Sequence, residues 1–168
     1  ATVNEDASVT LNPIATANDI DGNSLSISSV TQGSHGAVQI VSGKIKYTPK
    51  ANYNGNDTFT YKISDGKGGT VSKAVSVRVN NVNDAPTAVL TSATVNEDAS
   101  VTLNPIATAN DIDGNRLSIA SVTQGSYGAV QIISGKIKYT PKANYNGNDT
   151  FTYKISDGKG GTVSKAVS

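Results

Sequence analysis

Asp57-Thr-Phe-Thr-Tyr-Lys-Ile-Ser-Asp65 decides the fold. Phe59, Tyr61 and Ile63 alternate with Thr58, Thr60, Lys62 and Ser64, a period of two that puts every apolar side chain on one face of an extended strand. Gly66-Lys-Gly-Gly69 then turns the chain into Thr70–Val79, where Val75, Val77 and Val79 alternate in the same way. Working back toward the start, Ala37–Val41 and Lys44–Thr48 flank Ser42-Gly43, a two-residue hairpin link in which glycine supplies a positive φ. Ser24–Val30 and Ser8–Leu11 complete the strands expected in the first ninety residues. A further short strand is expected around Ala88–Leu90. No stretch keeps apolar residues at i, i+3, i+4 and i+7, so helix signals are missing.

The whole pattern occurs twice. Ala1–Asn23 returns unchanged at Ala93–Asn115, an offset of 92 residues. Of the 76 positions that can be compared, four differ: Ser24/Arg116, Ser28/Ala120, His35/Tyr127 and Val41/Ile133. A repeat of this length is a domain rather than a solenoid rung. About seven short strands per ~100 residues argue for an all-β fold: two tandem Greek-key β-sandwiches of immunoglobulin-like type, end to end, with a closed barrel as the lesser alternative. The boundary lies at Asn80-Asn-Val-Asn-Asp-Ala-Pro86, where Pro86 removes a donor and holds Ala85 extended. That makes a short, stiff link instead of a Gly/Ser tether. We therefore divide the chain into 1–86, which includes linker 80–86, and 87–168, a second repeat cut short in its last strand.

Composition narrows the function. Cysteine, methionine and tryptophan are absent, so neither a disulfide scaffold nor thiol chemistry is available. The net charge is +1 and the lysines are scattered, which leaves no electrostatic footprint for nucleic acid or an acidic membrane. No apolar run is long enough for membrane insertion. The single histidine, His35, is replaced by Tyr127 in the second copy and reads as a surface turn residue. With no second histidine to activate a Ser or Thr, an enzyme is not expected.

Acidic residues gather at turns and strand ends: Asn4-Glu-Asp6, Asn18-Asp-Ile-Asp-Gly-Asn23 and Asn54-Gly-Asn-Asp57, with Asp65 and Asp84 alone. Hard cations such as Ca²⁺ take six to eight oxygens from loops of this composition. Local side chain–backbone capping of turns accounts for the same residues equally well. Asn83-Asp-Ala-Pro86, Asp19-x-Asp21-Gly22 and the run from Tyr53 to Gly69 resemble the cadherin-like tandem repeats of large bacterial RTX-type adhesins, over the whole repeat. The resemblance implies calcium between consecutive domains. By position, Glu5, Asp57, Asn83 and Asp84 would serve the lower end of the first copy, and Asp111, Asp113 and Asp157 the upper end of the second. Asn81 stands where many cadherin linkers carry an acid.

The expected function is a calcium-rigidified spacer of a secreted, surface-anchored bacterial adhesin supporting attachment and biofilm formation, with neighbouring repeats of the same chain as its partners. The alternative is a carbohydrate- or protein-binding sandwich, with Tyr53, Tyr127 and Tyr145 as candidate contacts. A surface glycan or protein ligand is expected elsewhere in a full-length protein.

Overall fold

The computed structural model describes all 168 residues and divides into two compact units, Ala1–Val82 and Asn83–Ser168. The division falls inside the expected linker. Asn83–Pro86, assigned above to the first repeat, pack with the second.

Unit 1 holds seven strands: β1 (Thr2–Asn4), β2 (Val9–Leu11), β3 (Ser26–Val30), β4 (Gly36–Val41), β5 (Lys44–Pro49), β6 (Gly55–Ser64) and β7 (Thr70–Asn80). They form two sheets, ordered β1-β7-β6-β3 and β2-β5-β4. Phe59, Val77, Val79, Val3 and Ile27 from the first sheet meet Val38, Ile45 and Tyr47 from the second in one buried cluster. These are the inward positions of the period-two runs, and full burial of such a side chain contributes about 1.5–3 kcal/mol. The fold is the expected immunoglobulin-like sandwich.

Two features escaped the sequence reading. β1 pairs in parallel with the end of β7, Val3 opposite Val79, across 76 positions of sequence. Pro13–Thr16 forms one turn of 3-10 helix, and Pro105–Thr108 repeats it. Proline sits at the first turn of each, where its fixed φ suits the helix and its missing N–H costs nothing. The hairpin link is as expected but uses both residues, Ser42 at φ 48° and Gly43 at φ 71°.

Unit 2 repeats the plan with six strands: β8 (Val101–Leu103), β9 (Ser118–Val122), β10 (Gly128–Ile133), β11 (Lys136–Pro141), β12 (Phe151–Ser156) and β13 (Thr162–Val167). Its sheets run β13-β12-β9 and β10-β11-β8. The strand expected at Ala88–Leu90 is reduced to a single bridge, Thr87 opposite Asn110. Ala88 is nevertheless buried, and Leu90 packs against the core. β3 and β9 carry a bulge at Ser28 and Ala120 respectively, which explains why serine and alanine are interchangeable there. None of the four differing positions lies in either core.

Candidate cation site and the carboxylate clamps

Two kinds of carboxylate emerge. Asp57, expected to serve the end of its domain, is instead tied into it. Its Oδ1 accepts the backbone N–H groups of Ser34 (3.0 Å) and Thr58 (2.9 Å). Its Oδ2 accepts the N–H of His35 (3.0 Å) and the hydroxyl of Tyr47 (2.8 Å). Four donors fill the acceptor positions of a carboxylate, so no lone pair is left for a cation and Asp57 leaves the ligand set. Burial pushes its pKa up, but the Tyr47 hydroxyl and the three backbone donors outweigh burial and hold it below the ordinary value. The same bond and burial push the Tyr47 hydroxyl upward. Gly33 is required here, because a Cβ would lie 2.2 Å from Oδ2 of Asp57. Asp149 repeats the clamp with Ser126, Thr150, Tyr127 and Tyr139, and Tyr139 is raised to about 12.

The other carboxylates of the expected set collect at one end of unit 2. The turn Asp111-Ile-Asp-Gly-Asn115 closes through Asp111 Oδ1, which accepts the N–H of Asn115 at 3.0 Å. Asp113 Oδ2 accepts the backbone N–H of Asp84 at 2.8 Å. The Asn83 amide donates to Asp157 Oδ2 at 2.6 Å, and its own Oδ1 accepts from the Asn115 amide at 2.9 Å. Asp157 also accepts the N–H groups of Lys159 and Gly161, at 2.7 and 3.0 Å. The Asn83 amide is the main cause of its lowered pKa; burial opposes, and the N–H groups of Lys159, Gly161 and Gly160 assist. Thus Asn83, Asp84, Asp111, Asp113 and Asp157 are brought together within unit 2. Asn115 joins them, a residue the sequence reading left out although it closes the same Asp-x-Asp-Gly-Asn run.

Glu5 lies in unit 1, only 3% exposed. Its Oε1 accepts the backbone N–H of Val82 at 2.5 Å, while its own N–H donates to Asn80. The side chain thereby holds the end of unit 1 closed.

The donor set suits a hard cation: carboxylate, amide and backbone oxygens, with no sulfur or imidazole. Three or more acidic side chains do not converge on one point at ligand spacing, so the amides of Asn83 and Asn115 and backbone carbonyls would have to supply part of any coordination shell. Three buried side-chain oxygens lack a hydrogen-bond partner: Glu5 Oε2, Asp84 Oδ2 and Asp111 Oδ2. An anionic oxygen buried without a donor is unfavourable, and a bound cation is the direct remedy.

Aromatic pairs with one exposed and one half-buried ring are the remaining candidate contacts. His35 stacks on Tyr53 with ring centroids 4.2 Å apart, and Tyr127 on Tyr145 at 4.4 Å. Tyr139 is buried, and Tyr47 and Tyr153 are fully so.

A family model described as bacterial Ig domain matches residues 1–78 and again 83–168. Among curated proteins, GAMETE EXPRESSED 2 of Arabidopsis thaliana is 33% identical over 72 residues, 42% of this chain and 8% of that protein. Among solved structures, human CDH23 EC21-23 aligns over 86% of this chain and 50% of its own, at 18% identity and TM-score 0.44. An endo-fucoidan hydrolase of glycoside hydrolase family 107 aligns over 99% of this chain and 27% of its own, at 20% identity and TM-score 0.42. The chain thus spans less than a tenth of the curated relative and at most half of these two structures. No helix is long and apolar enough to cross a membrane.

Proposed function

The chain belongs to the bacterial Ig domain family, and from that premise we propose that it is a calcium-stiffened spacer in the extracellular part of a large bacterial surface adhesin. The observation that carries this reading is the identity of the three unpartnered buried oxygens. All belong to Glu5, Asp84 and Asp111, side chains that the sequence had already marked for a cation. Turn capping alone leaves them unexplained, because a capping oxygen has its donor.

Asp84 and Asp111, whose buried oxygens lack a donor, would hold the ion with the amide oxygens of Asn83 and Asn115 and with backbone carbonyls. Calcium supplies the positive charge that lets these carboxylates lie close together. The residues do the positioning: Asp157 holds the side chain of Asn83, Asp113 holds the backbone of Asp84, and Glu5 holds the backbone of Val82. Val82, Asn83 and Asp84 are thereby each held by a carboxylate of their own unit. An extracellular site can work at roughly 10⁻⁴–10⁻³ M affinity, since calcium outside cells is plentiful. Stiffness repeated along an array would project a binding domain away from the cell for attachment and biofilm formation.

The test is small-angle scattering with calcium and with chelator. Calcium should lengthen and narrow the distance distribution, and Asp111→Ala with Asp113→Ala should abolish the response. Asp19→Ala with Asp21→Ala should preserve it. Equal particle dimensions in both conditions, or equal behaviour of the two double variants, would return the acidic loops to plain turn capping.

The stacks His35–Tyr53 and Tyr127–Tyr145, each with one exposed ring, favour one second reading, a carbohydrate- or protein-binding face. A glycan array probed with the wild type and with Tyr127→Ala separates it from the spacer role.

A further inference from the structure

Four strands form the sheet edges of unit 1, and three of them are poor templates for another chain. β1 and β2 have three residues each, and β3 is bulged at Ser28. Short strands and bulges are two ways in which sheets avoid pairing edge to edge. β4 has neither protection: it runs six residues, Gly36–Val41, in unbroken register with β5. Nor does it carry a charge. Gly36-Ala-Val-Gln-Ile-Val-Ser-Gly43 holds no acid or base, and Ile40 and Val41 are 42% and 47% exposed. An uncharged, proline-free run with β-branched residues is the pattern that pairs with copies of itself. β10 repeats it, with Ile132 and Ile133 exposed.

One side chain closes this edge. The Gln32 carboxamide accepts the N–H of Val38 at Oε1 and donates to the carbonyl of Val38 from Nε2, both at 2.8 Å. These are the two bonds that a strand residue exchanges with its antiparallel partner. Gln124 treats Val130 in the same way, at 2.8 and 2.9 Å. The amide is fixed from both sides along the chain. Thr31 donates its N–H to the carbonyl of Thr60 and accepts the N–H of Thr60 at its hydroxyl, each at 2.9 Å. After Gln32, the N–H groups of Ser34 and His35 are held by Asp57. By alternation, Ile40 turns its N–H and C=O to the same side as Val38.

We propose that the edge of β4, and that of β10 likewise, is a self-association surface for the same strand of a second copy of this chain, and that Gln32 and Gln124 keep it closed. The lack of charge singles out that occupant. An acidic or basic partner finds nothing to pair with there, whereas a second copy brings the same uncharged run. A two-fold antiparallel register about Gln39 sets Val38 opposite Ile40 of the second copy, with two backbone bonds exchanged at each such pair. A single edge of six residues offers less than the ~1,000 Å² that a stable interface clears. Occupying the N–H and C=O of its central residue is therefore enough to keep the chain monomeric. Once freed, the edges of both units act together.

The experiment is sedimentation of the full chain in chelator, comparing wild type with Gln32→Ala plus Gln124→Ala over a range of concentrations. The wild type should stay monomeric, and the double variant should reach about twice the monomer mass or more. Adding Gln39→Lys and Gln131→Lys to the double variant sets lysine opposite lysine and should return it to the monomer. An unfolded variant gains nothing from a charge at an exposed position, so this reversal separates pairing from loss of fold. Hydrogen exchange gives a second readout: the Ile40 amide should slow by about tenfold or more as the double variant associates. A self-associating wild type, a monomeric double variant, association that survives the lysines, or an Ile40 amide indifferent to association overturns the proposal.

Discussion

Asp65 and Asp157 sit in identical runs of sequence, yet Asp65 is partly exposed and Asp157 is 3% exposed. Each folds its own turn in the same way, accepting the N–H groups two and four residues on. What differs is the cover. Asn83 and the backbone of Asp84 and Ala85 lie over Asp157, so close that a Cβ on Gly161 would sit 2.8 Å from the carbonyl of Asp84. The other end shows the reverse: Glu5 is buried against Val82, whereas Glu97 is exposed. The carboxylate sites are therefore not properties of a repeat alone. Each is completed by the stretch between repeats, so a repeat excised at its obvious sequence limits carries two half-built sites.

The largest effect that can test the comparison lies where the units are most alike. Asp57→Asn exchanges the Oδ2 acceptor for an NH₂ group, or forces the equivalent loss at Oδ1, against donors that cannot turn away. The expected cost is about 3 kcal/mol for unit 1, since bonds to a buried charge are lost and donors are left unmet. Asp149→Asn should cost less in unit 2, because Asp149 is the more exposed of the pair. Chemical denaturation followed by residue-resolved exchange measures both, and equal losses would remove burial as the deciding factor. The same clamps set the acid response. The folded-state pKa of each aspartate is depressed below its ordinary value of 3.8. Their stabilisation is thus present above that value and disappears as pH falls from it through the depressed one. A titration in which both units keep full stability well below pH 3.8 would contradict this.

A smaller effect should change sign between conditions. In chelator, Asp111→Asn or Asp84→Asn removes a buried anionic oxygen without a donor, so unit 2 should gain roughly 1 kcal/mol. With saturating calcium, the same change should lower stability, because the wild type gains by mass action and the variant gains less. Asp19→Asn, whose position lacks the covering segment, should be near neutral in both. A loss of stability in chelator would mean that Asp111 is an ordinary turn cap.

Much of this was legible before the structure. The inward faces of β4 to β7 follow from alternation, because a half-buried strand writes its burial into every second residue. β1 was illegible: Thr2-Val-Asn4 has one apolar residue, and its partner strand lies 76 positions away in parallel. Asp57 was misread for a related reason. Its neighbours Asn54-Gly-Asn look like a cation loop, while the donors that claim it come from Tyr47 and from a turn more than 20 residues upstream. A carboxylate's role depends on which donors reach it, and spacing along the chain does not record that. Asp111, Asp113 and Asp157 were grouped only through the resemblance to cadherin-like repeats, which assigns them by position to one end of the second copy.

The smallest effect isolates the covering segment itself. Tyr153 is fully buried and donates its hydroxyl to the carbonyl of Leu90 at 3.0 Å, while Tyr61, at the same place in unit 1, is partly exposed. Leu90 belongs to the stretch just after Pro86, which packs against the core of unit 2. Burial pushes the Tyr153 hydroxyl upward in pKa. Tyr153→Phe deletes one buried hydrogen bond and leaves a carbonyl without its donor, so unit 2 should lose about 1 kcal/mol. Tyr61→Phe touches no such bond and should stay within about 0.5 kcal/mol of wild type. Placing the sequence Thr87–Leu90 ahead of Ala1, with the intervening residues that join it to β1 in the repeat, should then make Tyr61→Phe as costly as Tyr153→Phe. If the extended chain still tolerates Tyr61→Phe, the difference between the units comes from something other than the segment that covers them.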